Sequence, residues 1–373
     1  MPLQSTLSQL ISFRTVTGQH EAAREAFSWI KDQLSPAPLY VREHEFEGFP
    51  ALVATTKDTK SPKVWLNAHF DVVDGSDHLF VPEVVDDPQH GRVLRGRGAF
   101  DMKWATACYI ELLRDLGSEA AELDIGLMLT SDEEIGGFNG AKQLLEQEGY
   151  RGELAFVPDG GWEEPWAIEQ DAKGMCLGRA FAEGRSTHSS RLWNGSNAVV
   201  ALAGFAEELD RRMRERYPHT GDDHWHPTLN IGAFNGGYAP NQVPDHAELT
   251  FDVRYTTPKE QEDIATLIEE VAGRHPGVTW TFEAIEPSCH LDPGNGYAVR
   301  WRELATELHG IETGGTRSHG SSDARHFARH DIPTLVVTPR GGGAHGEHEW
   351  ISLPDLDRYY TVLAAWVRDC ATA

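Results

Sequence analysis

The chain has 373 residues, 40% apolar and 24% charged, a globular composition with room for two domains of ordinary size. Lys and Arg number 33 against 58 Asp and Glu, and the net charge of −25 argues against nucleic acid or anionic membranes as partners while favouring cations locally. The opening MPLQSTLSQLISF has no basic segment before an unbroken apolar core, and no stretch approaches the roughly 18 apolar residues of a membrane span, so a cytoplasmic protein is expected.

In chain order, Phe27, Ile30 and Leu34 recur at helical spacing, and VWLNAHF is an apolar run of strand length. His69 and Asp71 lie two apart at the end of that strand. Alternate side chains share a face there, so the carboxylate can orient the imidazole while the other ring nitrogen binds a metal. GRGAFDMKW then sets Asp101 in a glycine-rich turn before a helix, as an N-cap or as a rigidly held carboxylate.

The strand LDIGLML runs into SDEEIGG, where Asp132, Glu133 and Glu134 crowd together. Three adjacent acids are either solvated or turned towards a cation. FVPDGG places Asp159 at another strand end before glycine.

The middle of the chain reads differently. Strand MCLGRAFAEG is followed by a helix through Val199, Leu202, Phe205 and Leu209, and then by strands TLNIGAF and AELTFDVRY. A helix through Ile264, Leu267, Ile268 and Val271 and the strand VTWTFEA complete the β-α-β-β-α-β order of a ferredoxin-like domain. An inserted domain over 175–288 is therefore expected, within an α/β domain made of 1–174 and 289–373 whose open mixed sheet is flanked by helices. After strand TLVV, the turn PRGGGAHGEHEW offers His345 and His348, and a last helix presents Leu356, Tyr360, Leu363 and Val367 on one face. Cys108, Cys176, Cys289 and Cys370 form no CxxC pair, so any metal must use His and carboxylate. Four strand ends carrying His, Asp or Glu beside glycine suggest one crevice at the carboxyl edge of an open sheet.

HFDVV, GRGAFDMKW, SDEEIGG, GRSTHSSRLWNGSNAV, NQVPDHAELTFDVRY, GSSDARHF and AHGEHEW stand in this order along nearly the whole chain. In this the sequence resembles the zinc metallopeptidases and amidohydrolases that include acetylornithine deacetylase, succinyl-diaminopimelate desuccinylase, aminoacylase and glutamate carboxypeptidase. The resemblance implies two divalent metals, usually zinc or cobalt with manganese an option, bridged by Asp101 and a hydroxide. His69 and Asp159 would complete one site and Glu134 and His345 the other, with Glu133 as unligated general base and Asp71 fixing the ring of His69. His345 is preferred to His348 because the family pattern places Glu and an aromatic after three further residues, matched here by Glu349 and Trp350.

The resemblance also implies a homodimer joined through the inserted lid domain, with His188 stabilising the oxyanion in the partner's site. Asn241, Arg254 and the loop from Gly320 and Ser321 to Asp323 would grip the substrate. Two positions depart from the family: Trp104 stands where glycine is common after Asp-Met-Lys, and position 159 is Asp, as in several dipeptidases, where deacylases usually carry Glu. The expectation is hydrolysis of an N-acyl amino acid, with a dipeptidase or carboxypeptidase as the alternative and a catalytically inactive binding protein as a remote one.

Overall fold

A computed structural model describes residues 2–160, 164–219, 221 and 224–372. Gly161, the second glycine of FVPDGG, lies outside them. The chain divides into two compact units, Met1–Asp171 with Cys289–Ala373, and Ala172–Ser288.

The larger unit is built on a six-stranded sheet in the order Tyr40–Phe46, Phe49–Thr55, Ile125–Thr130, Val64–His69, Leu154–Phe156, Thr334–Leu335. The first two strands form an antiparallel hairpin and Phe49–Thr55 pairs antiparallel with Ile125–Thr130, whereas the remaining strands run parallel. Each parallel strand is apolar on both sides because helices cover both faces. Val64, Leu66 and Ala68 point into one core, with Leu127, Leu129 and Phe156, while Trp65, Met128 and Ala155 point into the other. The two-residue period of a strand thus divides one hydrophobic run between two layers.

The first core holds the helices Pro2–Ser12, Lys103–Leu116, Gly296–His309 and Leu353–Cys370 around buried Trp104, Trp301, Tyr359 and Trp366. Burial of each such ring contributes roughly 2 to 3 kcal/mol. In the last helix the residue turned inward is Tyr359 rather than the expected Tyr360. Both positions fit the spacing from Leu356, and the tie is broken by Trp104, which meets Tyr359 edge-on at 5.0 Å. Tyr360 is half-buried, and its hydroxyl donates to Asp115. Strand TLVV is also shorter than expected, since only Thr334 and Leu335 pair in the ladder.

The smaller unit has the element order expected for it. Its antiparallel sheet runs Thr228–Gly236, His246–Tyr255, Gly174–Glu183, Val278–Glu286, and the helices Ala198–Arg216 and Pro258–Ala272 pack on one face. Both helices begin at a side-chain cap. Asn197 accepts the Val200 N–H, and Thr257 and Glu260 form a capping box that encloses Pro258 at the first helical position. Among the described residues no helix is long and apolar enough to cross a membrane.

Candidate active site

His69 and Thr130 are paired in register, so the strands Val64–His69 and Ile125–Thr130 run out at the same sheet edge. Strand Leu154–Phe156 points the same way, three residues before Asp159. Topology alone therefore brings His69, the SDEE turn and Asp159 to one carboxyl edge.

The Asp101 turn reaches this edge through glycine and Glu349. Gly98 has φ 83°, and a Cβ there would sit 2.7 Å from the Lys103 side chain and 3.0 Å from Val72, so the position requires glycine. Glu349 is fully buried and accepts the backbone N–H groups of Gly98, Phe100 and Asp101 at 2.8 to 3.0 Å, while Arg97 pairs with it at 2.9 Å. Arg97 also donates to the carbonyl of His345 at 3.3 Å, which ties the second histidine to the same frame. Trp104 donates to the Phe100 carbonyl at 2.8 Å and fills core space at the start of its helix.

Asp101 stands between two imidazoles. One oxygen is 3.2 Å from His69 Nε2 and the other 2.9 Å from His345 Nε2, which lies 3.1 Å from Glu134. His69 Nε2 is also 3.9 Å from Asp159 and 4.0 Å from Glu133. Two groups result, His69 with Glu133 and Asp159, and Asp101 with Glu134 and His345, each with its ligand atoms within 4.8 Å of one another. Glu133 thus faces the same ion-sized space as His69 and Asp159, and its other oxygen is 3.9 Å from Arg325.

Asp71 organises the rim from beneath. It lies 3.4 Å from His69 Nδ1, accepts the Thr17 hydroxyl at 2.7 Å, and accepts the N–H groups of Glu133 and Glu134 at 3.3 Å each. The carbonyl of Asp71 is 3.1 Å from His69 Nδ1 and so directs Nε2 towards Asp101. Asp132 turns away into a buried pocket, where it accepts the Asn139 N–H at 2.6 Å. The second glycine of SDEEIGG is explained there too, since a Cβ on Gly137, φ 61°, would fall 2.0 Å from Asp323.

Charge crowding leaves its mark on titration. Burial, then the neighbouring Asp101, pushes the Asp159 carboxyl up to about 8, and burial with Asp159 holds Glu133 well above the usual carboxylate range. Burial also works on Asp101, but the hydrogen bonds with His345 and His69 outweigh it and hold that carboxyl low. Hydrogen bonds to Asp101 and Glu134 raise His345 to about 10. The acids meet here only by drawing protons onto the histidines or themselves. Carboxylate oxygens and imidazoles that converge under such repulsion fit divalent metal ions of the zinc, cobalt and manganese type.

The acids floor a cavity of about 320 Å³ whose wall is the segment Thr316–Ser322. Gly320 and Ser321 line it, whereas Asp323 lies beneath, accepting the Thr130 hydroxyl at 3.2 Å. His348 is exposed and belongs to neither ligand group. His188, Asn241 and Arg254 belong to the smaller unit. Asn241 is exposed and its carbonyl accepts the Ser189 N–H at 3.0 Å, and the Arg254 guanidinium is forked onto Asp252 at 2.8 and 3.0 Å. Arg97, Arg325, Thr17 and Glu169 at the site were not singled out in the sequence. Arg97 and Arg325 alone carried a signal, their places inside the motifs GRGAFDMKW and GSSDARHF.

Fold and site together define a class, the metal-dependent hydrolases that act on amide bonds at the carboxyl edge of an open α/β sheet. The chain belongs to peptidase family M20/M25/M40, whose family model matches residues 65–369. It is 25% identical to a succinyl-diaminopimelate desuccinylase of Shewanella piezotolerans, over 96% of this chain and 94% of the relative. It is also 25% identical to a probable carboxypeptidase of Aspergillus terreus, over 85% and 72% of the respective chains. A tripeptidase from Staphylococcus aureus has the same fold, with a TM-score of 0.76 at 21% identity and coverage of 100% and 98%.

Proposed function

We propose that the chain hydrolyses the amide bond of an N-acyl amino acid, in the manner of a deacetylase or desuccinylase. The observation that carries this reading is Asp101 facing His69 with one oxygen and His345 with the other. A carboxylate so placed would be shared by two ions, with His69 and Asp159 holding one and Glu134 and His345 the other. Bound dications, zinc first among the candidates, would polarise the scissile carbonyl and lower the pKa of a bound water from 15.7 towards about 7.

The rest is done by the chain's own groups. Glu133 takes the proton of the attacking water and returns it to the leaving nitrogen, the burial and charge that raise its pKa suiting it to hold that proton. Asp71 fixes His69 and the backbone of Glu133 and Glu134 in a single arrangement. Gly320 and Ser321 in the cavity wall meet the substrate, with Asn241 and Arg254 assigned to its carboxylate.

His188 supports an oxyanion role by its tautomer. Its Nδ1 accepts the Ser190 N–H at 3.2 Å, so in the neutral ring the proton sits on Nε2, an exposed donor. We assign this donor to the partner's site in a homodimer formed through the smaller unit, and the enzyme to the cytoplasm.

A dipeptidase or carboxypeptidase activity is the second reading, favoured by Asp at position 159. N-succinyl, N-acetyl and N-carbamoyl amino acids assayed beside dipeptides, with zinc or cobalt added, separate the two. Preference for the acyl substrates supports the first reading, and preference for dipeptides replaces it.

A further inference from the structure

In the smaller unit, three histidines that fall between the helix Ala198–Arg216 and the strand Thr228–Gly236 stand together. His219, His224 and His226 each offer a ring nitrogen, and the three atoms lie within 4.8 Å of one another. His219 Nδ1 is 3.4 Å from His226 Nε2. Two imidazole nitrogens on one tetrahedral zinc, each about 2.0 to 2.1 Å from the ion, are separated by roughly 3.3 Å. The pair already stands at that spacing.

The surroundings hold the rings for such a role. The Nδ1 of His226 lies 2.9 Å from the Pro227 carbonyl and donates to it, so Nε2 carries the lone pair and faces His219. The ring of His224 is stacked on that of His219 at 4.1 Å between centroids, with 14° between planes. His224 has φ 51°, a conformation that L residues seldom adopt, and it persists because Lys173 donates to the carbonyls of both His224 and His226, at 3.2 and 2.7 Å. Lys173 is itself buried. A cation tethered to carbonyls and a ring tethered through one nitrogen are means of holding imidazoles close together at the surface.

We propose that His219, His224 and His226 form a separate metal site for a late first-row dication such as zinc, nickel or copper. Imidazole donors suit these ions, and three ligands leave a coordination position open to water. The ion would clip the segment after the helix to the start of the strand. None of its ligands is used in hydrolysis, so the site is independent of the function proposed above.

The test is zinc content per chain in untagged full-length protein, measured by elemental analysis after equilibration with buffered zinc, for wild type and for the His219→Gln/His226→Gln variant. The variant is expected to bind one ion fewer, whatever number the catalytic centre holds. A Ni²⁺ titration should show the same lost site, with affinity there at least about 100-fold weaker. Equal metal content and equal nickel binding in the two proteins would overturn the proposal. Since only the difference is read, failure of the hydrolase reading leaves the result intact, and an unchanged melting temperature in EDTA confirms that the variant folds.

Discussion

Glu349 accepts the backbone N–H of Asp101 at 3.0 Å across 248 positions of sequence. The contact joins the far end of the chain to the turn that presents Asp101. With Arg97 fastened to the same carboxylate and to the His345 carbonyl, one buried acid sets both the Asp101 turn and the second histidine. Removing it leaves Arg97 and three N–H groups buried without their acceptor. Glu349→Ala is expected to lose about 3 to 5 kcal/mol of stability and about 10- to 100-fold in zinc affinity, with Glu349→Gln in between. Denaturant unfolding and zinc competition check this, and wild-type values for the alanine variant would contradict it.

Glu133 is expected to carry the proton. Glu133→Gln should lower turnover by about 10² to 10⁴ while metal content stays at the wild-type level. Steady-state kinetics beside metal analysis test this. Full activity would remove the base from its role, and loss of metal would make Glu133 a ligand, the part its place beside His69 and Asp159 also permits.

His188→Ala is expected to reduce kcat by about 10² to 10³, the usual loss for one oxyanion donor. If the donor acts across a dimer, mixing this variant with Glu133→Gln and allowing subunits to exchange restores activity in roughly a quarter of the sites. An inactive mixture after verified exchange would place His188 in its own chain's site.

His326 gives a pH dependence separate from the ligands. Burial first, then Arg325, holds its ring well below the ordinary 6.5, while it reaches the Gly136 carbonyl at 3.0 Å. Folded protein keeps the ring neutral, and the unfolded chain protonates it below about pH 6.5. The contribution is therefore present above that pH and lost as pH falls towards the folded value. The stability difference between wild type and His326→Gln is expected to shrink between about pH 7.5 and about pH 5, by up to about 1.4 kcal/mol per unit. A difference constant over that range would contradict it.

The sequence carried the fold because its periods were clean. VWLNAH and IGLMLT became parallel strands with both faces buried, and the β-α-β-β-α-β order held through the smaller unit. The residues alone marked strand ends that carry His, Asp or Glu beside glycine, and it was the resemblance in motif order that implied His69, Asp101, Glu134, Asp159 and His345 as the ligand set. The supports were harder to read. Arg97 acts through Glu349 from 252 positions away, and Arg325 lies in a short helix with no pattern linking it to Glu133. Tyr359 and Tyr360 were indistinguishable by spacing, and the rings of Trp104, Trp166 and Trp301 packed on Tyr359 decide between them.

The most direct test of the shared centre is an anomalous difference map from crystals of the zinc-loaded protein. Two peaks are expected a few ångströms apart, one held by His69 and Asp159, the other by Glu134 and His345, with Asp101 touching both. A single peak, or ions that leave Asp101 uncoordinated, would contradict it.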